Sequence, residues 1–217
     1  MHRILKLTAV LFLISACSGT ENTMSNEMSS AEADGAAGGR GLAKLNSQPR
    51  QAYEITLKIK DAPGPFAVVK GGAQYDVVNE AECGRINLAT GTAGRITSQE
   101  DVVLRRVADD EYRGTVYLDL MQDGDYFGRG VCHWEFTGAS VMLKASGAEG
   151  DTRFFSFINA ARFGTDEEQL LYYPAKSYPR TERGNFPANG EEDPTRYRAD
   201  VQRQLFSISL SAAEIKP

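Results

Sequence analysis

The chain has 217 residues with 24 basic and 29 acidic side chains, a formal net charge of −5, and its longest basic cluster is the pair Arg105-Arg106. Nucleic acid is not an expected partner, because phosphate binding draws on clustered Lys and Arg. Two histidines, His2 and His133, are too few for a multi-histidine metal centre, and no cofactor is expected.

The chain opens with His2, Arg3 and Lys6, followed by an apolar run from Leu7 to Ile14 and then Ser15-Ala16-Cys17. The run is too short to span a bilayer, which takes about 20 apolar residues. Leu13-Ile14-Ser15-Ala16-Cys17 resembles the lipobox of bacterial lipoproteins, with Ile14 where leucine is commoner. The resemblance implies cleavage of residues 1–16, diacylation of the Cys17 sulfur, and a membrane anchor on the extracytoplasmic side. Ser18 in place of an aspartate implies, by the same resemblance, the periplasmic side of the outer membrane. The alternative is a simple secretory signal in which Cys17 is incidental. Removing Arg3 and Lys6 with the leader leaves 22 basic against 29 acidic side chains, a net charge of −7.

Residues 17–50, apart from the lipidated cysteine, are Ser, Ala, Gly, Asn and Glu with few large apolar side chains, and are expected to form a flexible tether with a reach of about 30 Å. Residues 51–217 are expected to form one domain with its own core. Once Cys17 is lipidated, Cys83 and Cys132 are the two remaining thiols, and an oxidising periplasm is expected to pair them. Such a bridge stabilises by about 4 kcal/mol on the chain-entropy model.

The domain starts with strict alternation from Tyr53 to Lys60, which places Tyr53, Ile55, Leu57 and Ile59 on one face of a half-buried strand. Asp61-Ala62-Pro63-Gly64-Pro65 supplies turn chemistry. Further strands are expected at 66–70, 75–78, 102–107, 112–120, 130–136, 139–145, 153–158 and 205–210, each short and rich in β-branched or aromatic residues. Thr165 followed by Asp166, Glu167 and Glu168 reads as a capping box leading a short helix into Leu170 and Leu171. The fold class expected is all-β or β-rich: a single antiparallel sandwich or small barrel with a long irregular excursion and at most one short helix. That excursion runs from Tyr172 to Tyr197, carries Pro174, Pro179, Pro187 and Pro194, and is followed by a strand in which Phe206, Ile208 and Leu210 alternate with serines. A loop whose two ends are both tied to the sheet is expected to be ordered.

The chemistry available is sparse. His133 could serve as the base of a Ser-His-Asp site, yet no G-x-S-x-G elbow accompanies it. It sits between Cys132 and Trp134 on an expected strand, where it faces outward while they face inward. Carboxylates are abundant, which leaves a carboxylate-dependent hydrolase open, but abundance is not evidence and a solvated acidic surface is the favoured explanation. Asp119, Asp123 and Asp125 suggest a Ca²⁺ loop only loosely, since the spacing departs from the EF-hand pattern and Gly130 stands at the twelfth position. A hairpin turn at Gln122-Asp123-Gly124-Asp125 is the simpler expectation.

The stretch from Asp125 to Phe136 contains Gly130-Val131-Cys132-His133-Trp134. It is similar to a segment with a Gly-Val-Cys-His-Trp core in some immunity lipoproteins, which protect bacteria from periplasmic toxins delivered by type IV or type VI secretion systems. That resemblance implies a non-catalytic protein that neutralises an incoming toxin, with the toxin as protein partner. The same residues also serve packing, with a disulfide against an indole in the core. Tyr172, Tyr173, Tyr178, Arg180, Arg183, Phe186 and Tyr197 are the candidate partner-binding residues, being of types enriched at binding hot spots. Covering the sheet is their alternative role. An envelope or cell-wall binding lipoprotein is the second functional expectation.

Overall fold

The structure, a computed structural model, describes residues 41–165, 167–182 and 186–216. Residues 1–40, with the leader, Cys17 and most of the expected tether, lie outside the described residues, as do Asp166, Arg183 and Pro217. Among the described residues no helix is long and apolar enough to cross a membrane.

The strands are β1 (Ala52–Lys60), β2 (Val68–Val77), β3 (Ile86–Asn87), β4 (Thr92–Ala93), β5 (Thr97–Val102), β6 (Arg105–Ala108), β7 (Glu111–Tyr117), β8 (Trp134–Lys144), β9 (Arg153–Asn159), β10 (Gln169–Pro174), β11 (Pro187–Ala188) and β12 (Leu205–Glu214). Two four-residue helices accompany them, α1 (Glu80–Cys83) and α2 (Ala199–Gln202). The first sheet has the order β10-β12-β1-β7-β6 and the second β11-β9-β8-β2-β5; β3 and β4 form a separate two-stranded ribbon. All pairings in the two large sheets are antiparallel except β11 on β9, which is parallel. Neither sheet closes on itself, so the fold is a β-sandwich and not a barrel.

Alternation builds the core. Ile55 and Leu57 of β1, and Phe206, Ile208 and Leu210 of β12, are wholly or almost wholly buried, and they meet Tyr75, Val141, Leu143, Phe154 and Ile158 from the other sheet. Each large apolar side chain removed from water in this way contributes about 1.5–3 kcal/mol. Aromatic rings knit the two layers: Phe206 lies 5.2 Å from Phe154 and 6.1 Å from Phe66, ring centre to ring centre.

Several expected elements differ from those observed. The two strands expected at 66–70 and 75–78 are one continuous β2, and those at 130–136 and 139–145 merge into β8. The glycines between these expected strands are places of close approach. A Cβ on Gly71 would stand 2.7 Å from the Val102 carbonyl oxygen, and one on Gly138 would stand 2.4 Å from that of Ile158. The strand expected at 102–107 is divided: β5 ends at Val102 in the second sheet and β6 starts at Arg105 in the first, with Val103-Leu104 crossing between them.

The helix expected after Thr165 is absent. Leu170 and Leu171 lie in β10, where Gln169, Leu171 and Tyr173 are buried and Leu170 and Tyr172 face outward. The Thr165 hydroxyl donates to the Arg162 carbonyl and accepts from Glu167 N–H, closing a turn of its own instead of capping a helix. The hairpin expected at Gln122–Asp125 is also displaced. The only ladder contact there joins Gly124 to Cys132, so the chain reverses at 125–131 and then crosses from β7 in one sheet to β8 in the other.

Residues 43–50, expected in the tether, are tied to the domain. Ala43 is buried, Leu45 bridges Met121, and Asn46 N–H donates to the Leu120 carbonyl. The excursion is held at both ends: Tyr172 and Glu191 exchange backbone hydrogen bonds, and β11 adds to the edge of β9.

Candidate functional site

On the outer face of the first sheet, side chains pointing away from the core form two rows across the strands. The register aligns Leu170 with Ser209, Ser209 with Lys58, and Lys58 with Glu111; the next row aligns Tyr172 with Ser207 and Ser207 with Lys60. Each row therefore runs from an apolar group through a hydroxyl to an ammonium, and the first continues to a carboxylate. Pro194 of the excursion and Gln202 of α2 stand along one border, and the β6–β7 turn at Ala108–Glu111 along the other. Between them lies an open groove of about 1100 Å³.

Its charges are unevenly matched. Asp109 is paired with Arg106 at 3.2 Å and Glu111 with Arg113 at 2.7 Å. Those arginines occupy the carboxylates of the β6–β7 turn, and among the described residues Lys58 and Lys60 form no ion pair, nor do Asp61, Asp110 and Glu168 around them. Ser209 is buried between its neighbours, so a surface with unpaired ammonium and carboxylate groups and the Ser207 hydroxyl beside an apolar wall can hold a polar partner by many weak contacts. A groove this size and this open suits a segment of a macromolecule better than an enclosed small molecule.

The candidate partner-binding residues do not form a single patch. Tyr172 lines the groove, and its carbonyl accepts a hydrogen bond from the Tyr197 hydroxyl at 2.8 Å. Burial, and then the nearby Glu191 charge, push the Tyr197 hydroxyl above its usual range, so it stays a donor. Tyr173 is a correction: it is fully buried, stacks on Phe206 at 5.3 Å and donates to the Phe155 carbonyl at 2.5 Å, so it is core and not contact surface.

Tyr178 and Arg180 lie outside the groove, Tyr178 against the β1–β2 connection and Arg180 beside Asp151. The Tyr178 hydroxyl donates to the Pro65 carbonyl and its ring meets Phe66 edge-on. Arg180 stands 3.6 Å from Asp151, whose carboxyl is held below its usual range chiefly by the Ser146 hydroxyl. Phe186 is half exposed just before β11, and Arg183 lies outside the described residues. The groove residues Lys58, Lys60, Leu170, Ser207 and Ser209 were not singled out from sequence. Their alternation was visible, but the neighbouring of β1, β12 and β10 that assembles them was not.

The segment around His133 is structural. Cys132 is buried in a disulfide with Cys83, and Trp134 packs beside it with Val77, Ile96, Tyr126 and Phe127. His133 faces outward as expected; its Nδ1 pairs with Asp123 Oδ2 at 2.7 Å, while Asp123 Oδ1 accepts from Trp134 N–H at 2.9 Å. No hydroxyl is hydrogen bonded to this imidazole among the described residues. Asp119 accepts from the Arg50 and Gln51 N–H groups, and Asp125 from those of Gly128 and Arg129, so each of the three aspartates weighed for calcium caps backbone instead. Among the described residues no group of three or more His, Cys, Asp or Glu is placed to hold a metal ion.

No family model, curated protein or solved structure matches this chain.

Proposed function

We propose that this chain is a membrane-anchored periplasmic lipoprotein that binds without catalysing, an immunity protein that occludes a secreted antibacterial toxin. The groove carries the reading: a broad outer sheet face bordered by the excursion, with free charges of both signs and no imidazole beside its serines. The acidic balance of the chain suits a basic partner, since opposite charge accelerates encounter. Lipidation at Cys17 would place the domain where a toxin entering the periplasm must pass.

Deleting the gene in cells that keep the neighbouring toxin gene, and again in cells that lack it, tests the reading. Loss of viability only in the first strain is expected; equal growth of both refutes it. A second reading, attachment to the cell wall, draws on the groove's combination of Tyr172, the Ser207 hydroxyl and carboxylates, which also suits sugar hydroxyl groups. Cosedimentation with purified peptidoglycan, abolished by Tyr172→Ala, would favour it.

A further inference from the structure

The sandwich has two unlike ends. One gathers the described N-terminal segment, the turn after β7, the entry to β8 and the end of β12: Leu45 bridges Met121, Val78 N–H donates to the His133 carbonyl, and Ile215 N–H donates to the Ala52 carbonyl. From the same end, between β2 and β5, springs an arm made of α1, β3 and β4, stapled through Cys83 to Cys132 and by Asn79 Nδ2 donating to the Val131 carbonyl. Ten large hydrophobic side chains are exposed on the described residues, and six of them, Leu42, Leu45, Val78, Leu88, Val131 and Ile215, belong to this end or its arm. The opposite end has Phe186 and, next to the β6–β7 turn, Val107.

We propose that this end is a lipid-contacting surface, seated on the bilayer at the boundary between headgroups and acyl chains. The inference rests on the reading that Cys17 is lipidated. Chain direction selects the occupant: Gly41, the described residue nearest to Cys17 in sequence, begins a segment packed at this end, so an anchor at Cys17 favours this end over the other. The arm fits such a contact. Residues 86–94 carry no charge, in a chain of which 24% of residues are charged, and Leu88 at the turn is 97% exposed. Arg85 before the arm's ribbon and Lys44 between Leu42 and Leu45 form no ion pair among the described residues, which leaves them for headgroup phosphates while the apolar side chains enter the acyl boundary.

Few apolar side chains hold a free protein to a membrane only weakly. An anchor on the same chain makes the contact intramolecular and raises its effective concentration, so a weak surface becomes occupied. Seating the domain this way also has a consequence for the groove. β1 runs nine residues from Ala52 at the lipid end to Lys60 in the groove, about 26 Å of extended chain, so the groove is held clear of the bilayer surface.

The test uses the full mature protein in phosphatidylethanolamine–phosphatidylglycerol vesicles with bromine-labelled acyl chains. Leu88→Trp and Phe186→Trp place fluorescent reporters at opposite ends, with wild type, which has Trp134 alone, as the baseline. Quenching of the Leu88→Trp increment about threefold greater than that of Phe186→Trp is expected. Equal, weak quenching of both on protein whose Cys17 carries lipid would overturn the seating and leave the lipoprotein reading intact. An unmodified Cys17, found by mass, would overturn both. Unchanged melting temperature of the Leu88→Trp protein excludes misfolding as the cause.

Discussion

The disulfide between Cys83 and Cys132 ties the arm that follows β2 to the strand entry that precedes β8, with both residues fully buried and their Cα atoms 5.2 Å apart. It closes 49 residues of sequence separation. Replacing both cysteines by alanine is therefore expected to cost about 4 kcal/mol, read as a lowered urea midpoint with a somewhat steeper slope, because the unbridged denatured chain is more expanded. Limited proteolysis of the variant should cut first within 79–96, because that arm has few other ties to the sheets. An unshifted midpoint would show that the bridge adds nothing to the fold.

Asp76 makes stability depend on acid. Burial alone pushes its carboxyl up, but hydrogen bonds from Arg95, Thr137, Thr97 and Gln74 outweigh this and hold it at about 2 against an ordinary 3.8. A carboxyl with a lowered native value contributes stability that is complete above about pH 4 and lost as pH falls through about 2. The contribution is on the order of 2 kcal/mol. Urea unfolding of wild type and Asp76→Asn at pH 7 and pH 2.5 checks it: the difference between the two proteins should shrink on acidification.

Gly138 sits where Phe157 and the Ile158 carbonyl crowd the β8 backbone. Gly138→Ala is expected to destabilise by about 1–3 kcal/mol through overpacking. Gly147→Ala, where an added Cβ meets nothing within 4 Å, is the matched control and should be nearly neutral. Thermal unfolding of the pair separates steric cost from backbone entropy.

Neighbouring tyrosines should behave oppositely. Tyr172→Ala combined with Lys58→Glu and Lys60→Glu alters the groove and should abolish protection of a deletion strain that keeps the neighbouring toxin gene, with thermal stability changed only slightly. Tyr173→Ala empties the core beside Phe206 and Phe154 and should cost about 3–5 kcal/mol. Protection retained by the groove variant would remove the groove from the account.

Much of this architecture was legible in particular residues. The alternation in Tyr53–Lys60 and in Phe206–Leu210 exposes β1 and β12, because a period of two shows locally whatever lies beside the strand. The Cys83–Cys132 pairing followed from counting the thiols left once Cys17 is expected to carry lipid on an exported chain. The continuity of β2 through Gly71 and of β8 through Gly138 was not legible, because a glycine that yields to a neighbour's carbonyl looks the same in sequence as one that ends a strand. The helix expected after Thr165 failed for a related reason: three acidic positions imitate a helix start, whereas β12 rewards the alternation of Gln169, Leu171 and Tyr173 only once it lies alongside. Strand order is non-local, so the groove, which needs β7, β1, β12 and β10 as neighbours, could not be assembled from pattern alone.

The account as a whole depends on an exported chain anchored by lipid, and intact-mass measurement of the protein extracted from its own membranes tests this most directly. The prediction is a chain that begins at Cys17, lacks residues 1–16 and carries acyl groups. A full-length chain beginning at Met1, with an unmodified Cys17 thiol, would contradict it.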